Sequence, residues 1–469
     1  MHESKLKKSR EVWKQKAIKK SKEANILRKE KKRLQESRIL WKEKYKQLRR
    51  QQARLQSKDI GRHSYNSKIV AICICLKLYA QQSVRGISKS ISIWLLVLGL
   101  QSKAPCHTTI HTWLRKSGYY RLMAPDEDSP QAQWVLFIDE SMCMGREKLL
   151  LIMGVDIRNV KQGNLSFANS RCLYISSSNS WKGEDIAAVL DRVTQPLQGK
   201  ICYAVTDRGN NINKALKLAD MAYIHDLTHE MALYLSQLYR KSQDFKAYMQ
   251  WTAYLRGKLV LSQWAHLMPP GQRSKARFHN IEPLYKWGKM VEKGINTWKK
   301  HNKGLYKEFK KITEFKLLLW ELGALLTVMK KIKKLIASKG IKRSLLTHIY
   351  HLLAGLKRQR PMMFANKMKN YFQESLLRLN KKNIPVCCSD LIESAFGKFK
   401  LMMPANQWSG ITDLALVIPA FMGKKWNPQQ VKTALQRVKV KDYKQWGINN
   451  MEEALLKKRK KAFQKLEHL

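Results

Sequence analysis

The sequence predicts a mixed α/β domain split by a large helical insertion, preceded by an all-α unit and by one long basic helix. Three observations carry that expectation. Short apolar runs in the middle of the chain (QWVLFID, KLLLIMGVD, RCLYISS and KICYAVT) read as strands, and GEDIAAVLDRVT lies among them as an amphipathic helix. Helical spacing of apolar residues takes over from Asn213 and persists for most of the remaining chain. The first 50 residues hold 20 Lys/Arg, six Glu and neither Pro nor Gly, in a run dominated by helix formers.

The whole chain has 469 residues, 90 of them Lys or Arg against 35 Asp or Glu, for a formal charge of +55. Hydrophobic residues make up 44%, enough for a packed core, so this is no disordered basic tail. At roughly 100–200 residues per domain, two to four units are expected. Such a charge repels itself in the compact state and calls for a polyanionic partner, nucleic acid first among them. No apolar run approaches the roughly 20 residues of a membrane span, so no membrane partner is expected. The charged N-terminus lacks the apolar region of a secretory signal. Eight Cys without a CxxC pair are too sparse for a disulfide scaffold and lack zinc-finger spacing. A reducing, cytoplasmic setting is expected.

Residues 1–56 form the basic helix. Leu6, Trp13, Leu27, Leu34, Trp41, Leu48 and Leu55 recur on a seven-residue repeat, with Lys20 filling the gap. The partner heptad position (Ala24, Lys31, Arg38, Tyr45, Gln52) is mostly polar, so any coiled-coil pairing is weak. A solvated basic helix and a DNA- or partner-contacting coiled coil both fit. Residues 60–123 read as three short helices. Ser67–Tyr79 is the first; Ser83 opens the second, with Ile87, Ile91, Trp94, Leu95 and Leu98 at helical spacing and Gly99 as its stop. Thr108–Lys116 is the third, ended by Gly118, with Ile110, Trp113 and Leu114 toward the core. Thr109, His111, Thr112, Arg115 and Lys116 would then face out as the DNA-contacting side of a helix-turn-helix. The linker Ala124–Pro130 leads to an α/β domain over 131–240 and a helical insertion over 241–384. The domain's last helix lies within 385–425, and 426–469 read as a basic tail.

Three acidic residues stand out by position. Asp139 ends one apolar strand, Asp207 follows another, and Glu393 lies in the first turn of a later helix. A carboxylate at the end of a buried strand is costly unless paired or bound to metal. Two such strands under a helix carrying a third acid would make an all-oxygen site suited to two Mg²⁺ or Mn²⁺ ions, which activate water and stabilise a leaving oxygen. Blander readings stand beside this one. Asp139 could be an ordinary strand-end acid. DRGNN is good turn chemistry around Asp207, and Asp390 with Glu393 has capping-box spacing. Glu140, Asp156, Asp226 and Asp390 are alternative carboxylates. Glu393, Gly397 and Lys400 share one helix face, where a phosphate could approach. His225 and His229, four apart on an expected helix, have zinc-pair spacing but no evident third ligand. Trp251, Trp264, Trp287, Trp298 and Trp320 could stack on unpaired bases, although tryptophans at helical spacing more often fill a core.

In order, WVLFIDES, AVTDRGNN and SDLIESAFGKFK resemble the DDE transposases of bacterial insertion sequences, over roughly 65–425. The resemblance implies a ribonuclease H-like fold and a catalytic, metal-holding triad of Asp139, Asp207 and Glu393. Binding of element ends and target double-stranded DNA, phosphodiester hydrolysis and strand transfer follow from it. Arg208, Lys398 and Lys400 would position phosphates, and joining two ends implies a homodimer or larger synaptic assembly at the bacterial nucleoid. The separation of 186 positions from Asp207 to Glu393 implies a helical insertion domain. A non-catalytic DNA-binding derivative and a cleaving but non-joining nuclease are the rivals.

Overall fold

The computed structural model describes residues 2–56, 59–60, 63–100, 103–123, 130–142, 147–160, 165–272, 277–380, 383–403 and 410–466. Most of the expected linker 124–130 lies outside them. By internal contacts the chain forms two units, one of residues 1–111 with 426–436, the other of 112–425 with 437–469.

In the first unit, α1 (His2–Gln56) is a continuous helix. Its apolar stripe is exposed wherever described, Leu34 by 71%. Asn66 caps α2 (Ser67–Leu78) by accepting from the Lys68 N–H. Ser83 does the same for α3 (Val84–Val97) through the Gly86 N–H at 3.0 Å, and Gly99 follows at φ 62°, a conformation glycine adopts without strain. Ile87, Ile91 and Leu95 are buried as expected, but Trp94 and Leu98 are exposed. The inward stripe of α3 is therefore narrower than the spacing implied. The helix Pro428–Arg437, expected to be part of a loose tail, contributes buried Val431, Ala434 and Leu435.

The third expected helix, α4 (His107–Met123), runs straight through Gly118. Here glycine serves packing rather than termination: a Cβ at this position would lie 1.8 Å from the Leu416 carbonyl oxygen. Gly118→Ala should therefore cost about 1–3 kcal/mol of stability, read as a lowered urea midpoint at unchanged m; an unshifted midpoint would contradict this account.

The second unit is built on a five-stranded sheet of order β3-β2-β1-β4-β5, comprising β1 (Gln133–Met142), β2 (Lys148–Asp156), β3 (Ser170–Ser178), β4 (Lys200–Thr206) and β5 (Tyr223–His225). β2 runs antiparallel to β1 and β3, whereas β1, β4 and β5 are parallel. Near-continuous apolar runs fit strands covered on both faces. On one face Trp134, Leu136, Ile138 and Ala204 pack against α5 (Gly183–Thr194) and α6 (Asn210–Leu218) through Ile186, Leu190, Ile212 and Leu216. On the other, buried Tyr203 donates its hydroxyl to the Val386 carbonyl at 2.7 Å.

After β5 come α7 (Leu227–Tyr239) and the insertion helices α8 (Gln243–Leu259), α9 (Ile281–His301), α10 (Lys303–Phe309), α11 (Lys316–Lys339), α12 (Arg343–Ala354) and α13 (Gln359–Arg378). Trp251 and Trp287 are buried among Tyr248, Phe309 and Phe315, so the core reading holds for both. Trp320 is 53% exposed beneath the Arg358 guanidinium. Arg360 locks the insertion by pairing with Asp244 and Glu321 at 2.6 and 2.9 Å. The short pair β6 (Ile341–Lys342) and β7 (Asn383–Ile384) brings the chain back before α14 (Asp390–Met402) and α15 (Val417–Phe421). Helices Val440–Asn450 and Leu455–Leu466 fill the expected tail, and the Asn450 carbonyl accepts from Ser176 at 2.7 Å. Among the described residues no helix is long and apolar enough to cross a membrane.

Candidate active site

Strand register brings the acids together. Ile138 pairs with Thr206, and Thr206 with His225. The next residue along each parallel chain is Asp139, Asp207 and Asp226, so three carboxylates stand at one end of adjacent strands. Asp139 lies within β1, which continues to Met142, and does not end the strand as expected.

Glu393 arrives from far along the chain through a built contact. Buried Asp226, at the N-cap of α7, accepts from the Ser389 N–H and, at 2.9 Å, from the Ser389 hydroxyl. The Leu227 N–H donates to the Cys387 carbonyl at 2.9 Å. These bonds fix the start of α14 against β5 and α7. Ser389, not Asp390, occupies the N-cap, and Glu393 turns toward His229, with Oε1 3.3 Å from Nε2. The capping-box alternative is thus not formed. Asp207 does make the expected turn, accepting from the Gly209 N–H at 2.8 Å.

The electrostatics record how close these groups are. Burial pushes Asp139 up to about 7, and the charges of Asp207 and Glu393 add to it, against the Glu140 N–H and His229. Partial desolvation also raises Glu393, whose side chain stays 46% exposed; Asp226 and Asp390 add to the rise, and His229 and Lys333 oppose it. Burial works against a charged His229, but its hydrogen bond to Asp226 and the charges of Asp226, Glu393 and Asp139 hold it up at about 9. Asp226 is buried too, yet His229 and Ser389 keep its pKa below the usual carboxylate range. His229 thus stands between Asp226 and Glu393, and the charges of Asp207 and Glu393 reach Asp139. Neighbouring carboxylates that repel one another suit a divalent cation, although among the described residues Asp139, Asp207 and Glu393 do not bring one oxygen each within 4.8 Å of one another.

Other expected site residues sit elsewhere or are engaged. Arg208 is held bidentately by buried Glu230, with Nη2 to Oε2 at 2.9 Å, and remains 48% exposed on the cleft beside Asp207. Lys398 lies over the Phe167 ring at 4.3 Å, away from the Glu393 face. Lys400 and Gly397 are exposed with Glu393 on the expected face, and nothing lies within 4 Å of a Cβ built on Gly397. On α4, Lys116 is buried (7% exposed) and Arg115 pairs with Asp413 at 2.9 Å, whereas Thr109, His111 and Thr112 are half-buried. The expected outward face of that helix is therefore largely covered. Of the alternative acids, Glu140 pairs with Lys148 and Asp156 with Arg158.

His225 and His229 do not share a helix face, since His225 ends β5 and His229 lies in the first turn of α7. His279 is a residue that sequence patterning gave no reason to choose; it stands in the irregular stretch before α9. With Asp207, His229, Arg240 and Arg277 it lines a cleft of about 680 Å³. Arg277 also borders a second cleft of about 750 Å³ lined by Lys246 and Arg256.

No protein-family model and no curated protein sequence matches this chain. The site itself therefore carries the functional reading.

Proposed function

We propose that this protein is a DDE-type transposase with a ribonuclease H-like catalytic domain, cutting DNA strands and joining them to target DNA. The observation that supports the reading is the strand register, which sets Asp139 and Asp207 side by side after paired residues of β1 and β4, with Glu393 linked to the same region through His229 and Asp226. Three acids in that chain order, at the end of a mixed sheet in a chain of charge +55, support this resemblance.

Asp139, Asp207 and Glu393 would hold two Mg²⁺ or Mn²⁺ ions, which would supply Lewis-acid stabilisation and a more acidic bound water. The chain's own part is positional. β1 and β4 fix the two aspartates side by side, and the Asp226–Ser389 contact sets the register of α14. Arg240 and Arg277 border the cleft beside Asp207 as sites for a phosphate backbone. Joining two element ends calls for a homodimer or larger assembly.

The test is nicking and strand transfer on duplex DNA with Mg²⁺. Asp139→Asn and Glu393→Gln should each lower the rate by at least about 100-fold, the consequence of losing several kcal/mol of charge stabilisation. Cleavage that survives Asp139→Asn would overturn the assignment. DNA binding without cleavage in the unaltered protein would favour the non-catalytic alternative.

A further inference from the structure

His229, His279 and Glu393 each offer a ligand atom within 4.8 Å of the other two. The two imidazole rings stand 4.6 Å apart, inclined at 64°. His229 faces Glu393 with Nε2 and lies 3.1 Å from Asp226 Oδ1 with Nδ1. An imidazole that binds metal through one nitrogen almost always gives the other N–H to a carboxylate, which fixes tautomer and ring plane. Asp226 is the carboxylate placed for this role: its Oδ1 accepts the His229 backbone N–H at 2.7 Å and lies 3.1 Å from Nδ1, and Ser389 holds it in place.

We propose that His229, His279 and Glu393 form a site for a zinc-type divalent transition-metal ion, oriented from behind by Asp226. Two imidazoles and one carboxylate are the donor set of open zinc centres, which leave a position for water or substrate. Imidazole is a poor ligand for Mg²⁺, so this position is chemically distinct from an all-oxygen pair. Its open side gives onto the 680 Å³ cleft bordered by Arg240 and Arg277, which favours an anionic oxygen, such as that of a phosphate, as the exchangeable ligand. The proposal shares Glu393 with the strand-transfer reading and needs neither Asp139 nor Asp207.

The test uses the full chain and Co²⁺ as a visible probe. Titration should give an intense low-coordinate absorption band that saturates and is bleached by Zn²⁺. His279→Ala, at an exposed position, should abolish the band, as should Glu393→Gln, whereas His225→Asn should leave it unchanged. Asp226→Asn should weaken binding by about 10–100-fold. No band, or a band that persists in His279→Ala, would overturn the proposal. Mg²⁺-dependent nicking without any cobalt signal would sink this site alone. A cobalt signal without nicking would sink the strand-transfer reading alone.

Discussion

Raising salt from 50 to 200 mM should lower the affinity of the full chain for duplex DNA by about 10⁴-fold, given some eight neutralised phosphates. The reasoning starts from the excess of 55 positive charges. The basic residues between positions 10 and 50 of α1 are exposed, and exposed cations beside a polyanion bind chiefly by releasing its condensed counterions. Such contacts position the DNA and carry little sequence information. The loss should therefore be nearly the same for unrelated duplexes, measured by fluorescence anisotropy over a salt series. A flat response would remove the electrostatic basis of the proposed DNA binding. Deleting residues 1–56 should flatten the slope, since those residues supply a large share of the cations.

Asp226→Ala should cost about 3–5 kcal/mol of folding stability, the penalty for breaking a buried ion pair by removing one partner. The side chain is 1% exposed and faces four groups: the Ser389 N–H, the Ser389 hydroxyl, the His229 backbone N–H and the His229 imidazole. Without it the buried Ser389 donors and the His229 cation lose their acceptor. Urea unfolding at neutral pH measures the effect, and a loss below about 0.5 kcal/mol would contradict it. The pH dependence has a definite sign. The folded pKa of Asp226 lies below the ordinary 3.8, so its contribution is present above that value and is lost as pH falls through the folded pKa. The unaltered protein should lose this increment in strong acid, and Asp226→Ala should not.

Much of the sheet was legible because its strands are covered on both faces and so are written as unbroken apolar runs. KICYAVT and GEDIAAVLDRVT match β4 and α5 end to end. Asp139 and Asp207 stood out for a related reason: a carboxylate directly after an apolar run breaks a pattern that is otherwise hard to break. What escaped was short or long-range. β5 has three residues, too few to show a period, and so the stretch around His225 read as helix. Arg208 looked available because its partner Glu230 stands 22 positions away and is supplied by the fold. Gly118 looked like a stop signal because the Leu416 carbonyl that requires it belongs to a distant segment. His279 carries no local signature at all; only the folded chain sets it beside His229.

The return path through β7, Val386 and Ser389 has a consequence for biosynthesis. Asp139 and Asp207 leave the ribosome early, but their helical partner follows only after α8–α13 have been made. A nascent polypeptide that stops short of α14 thus carries the five-stranded sheet without the segment that bears Glu393. Any activity that depends on the proposed triad would be withheld until the intervening helices have been made and have closed the loop.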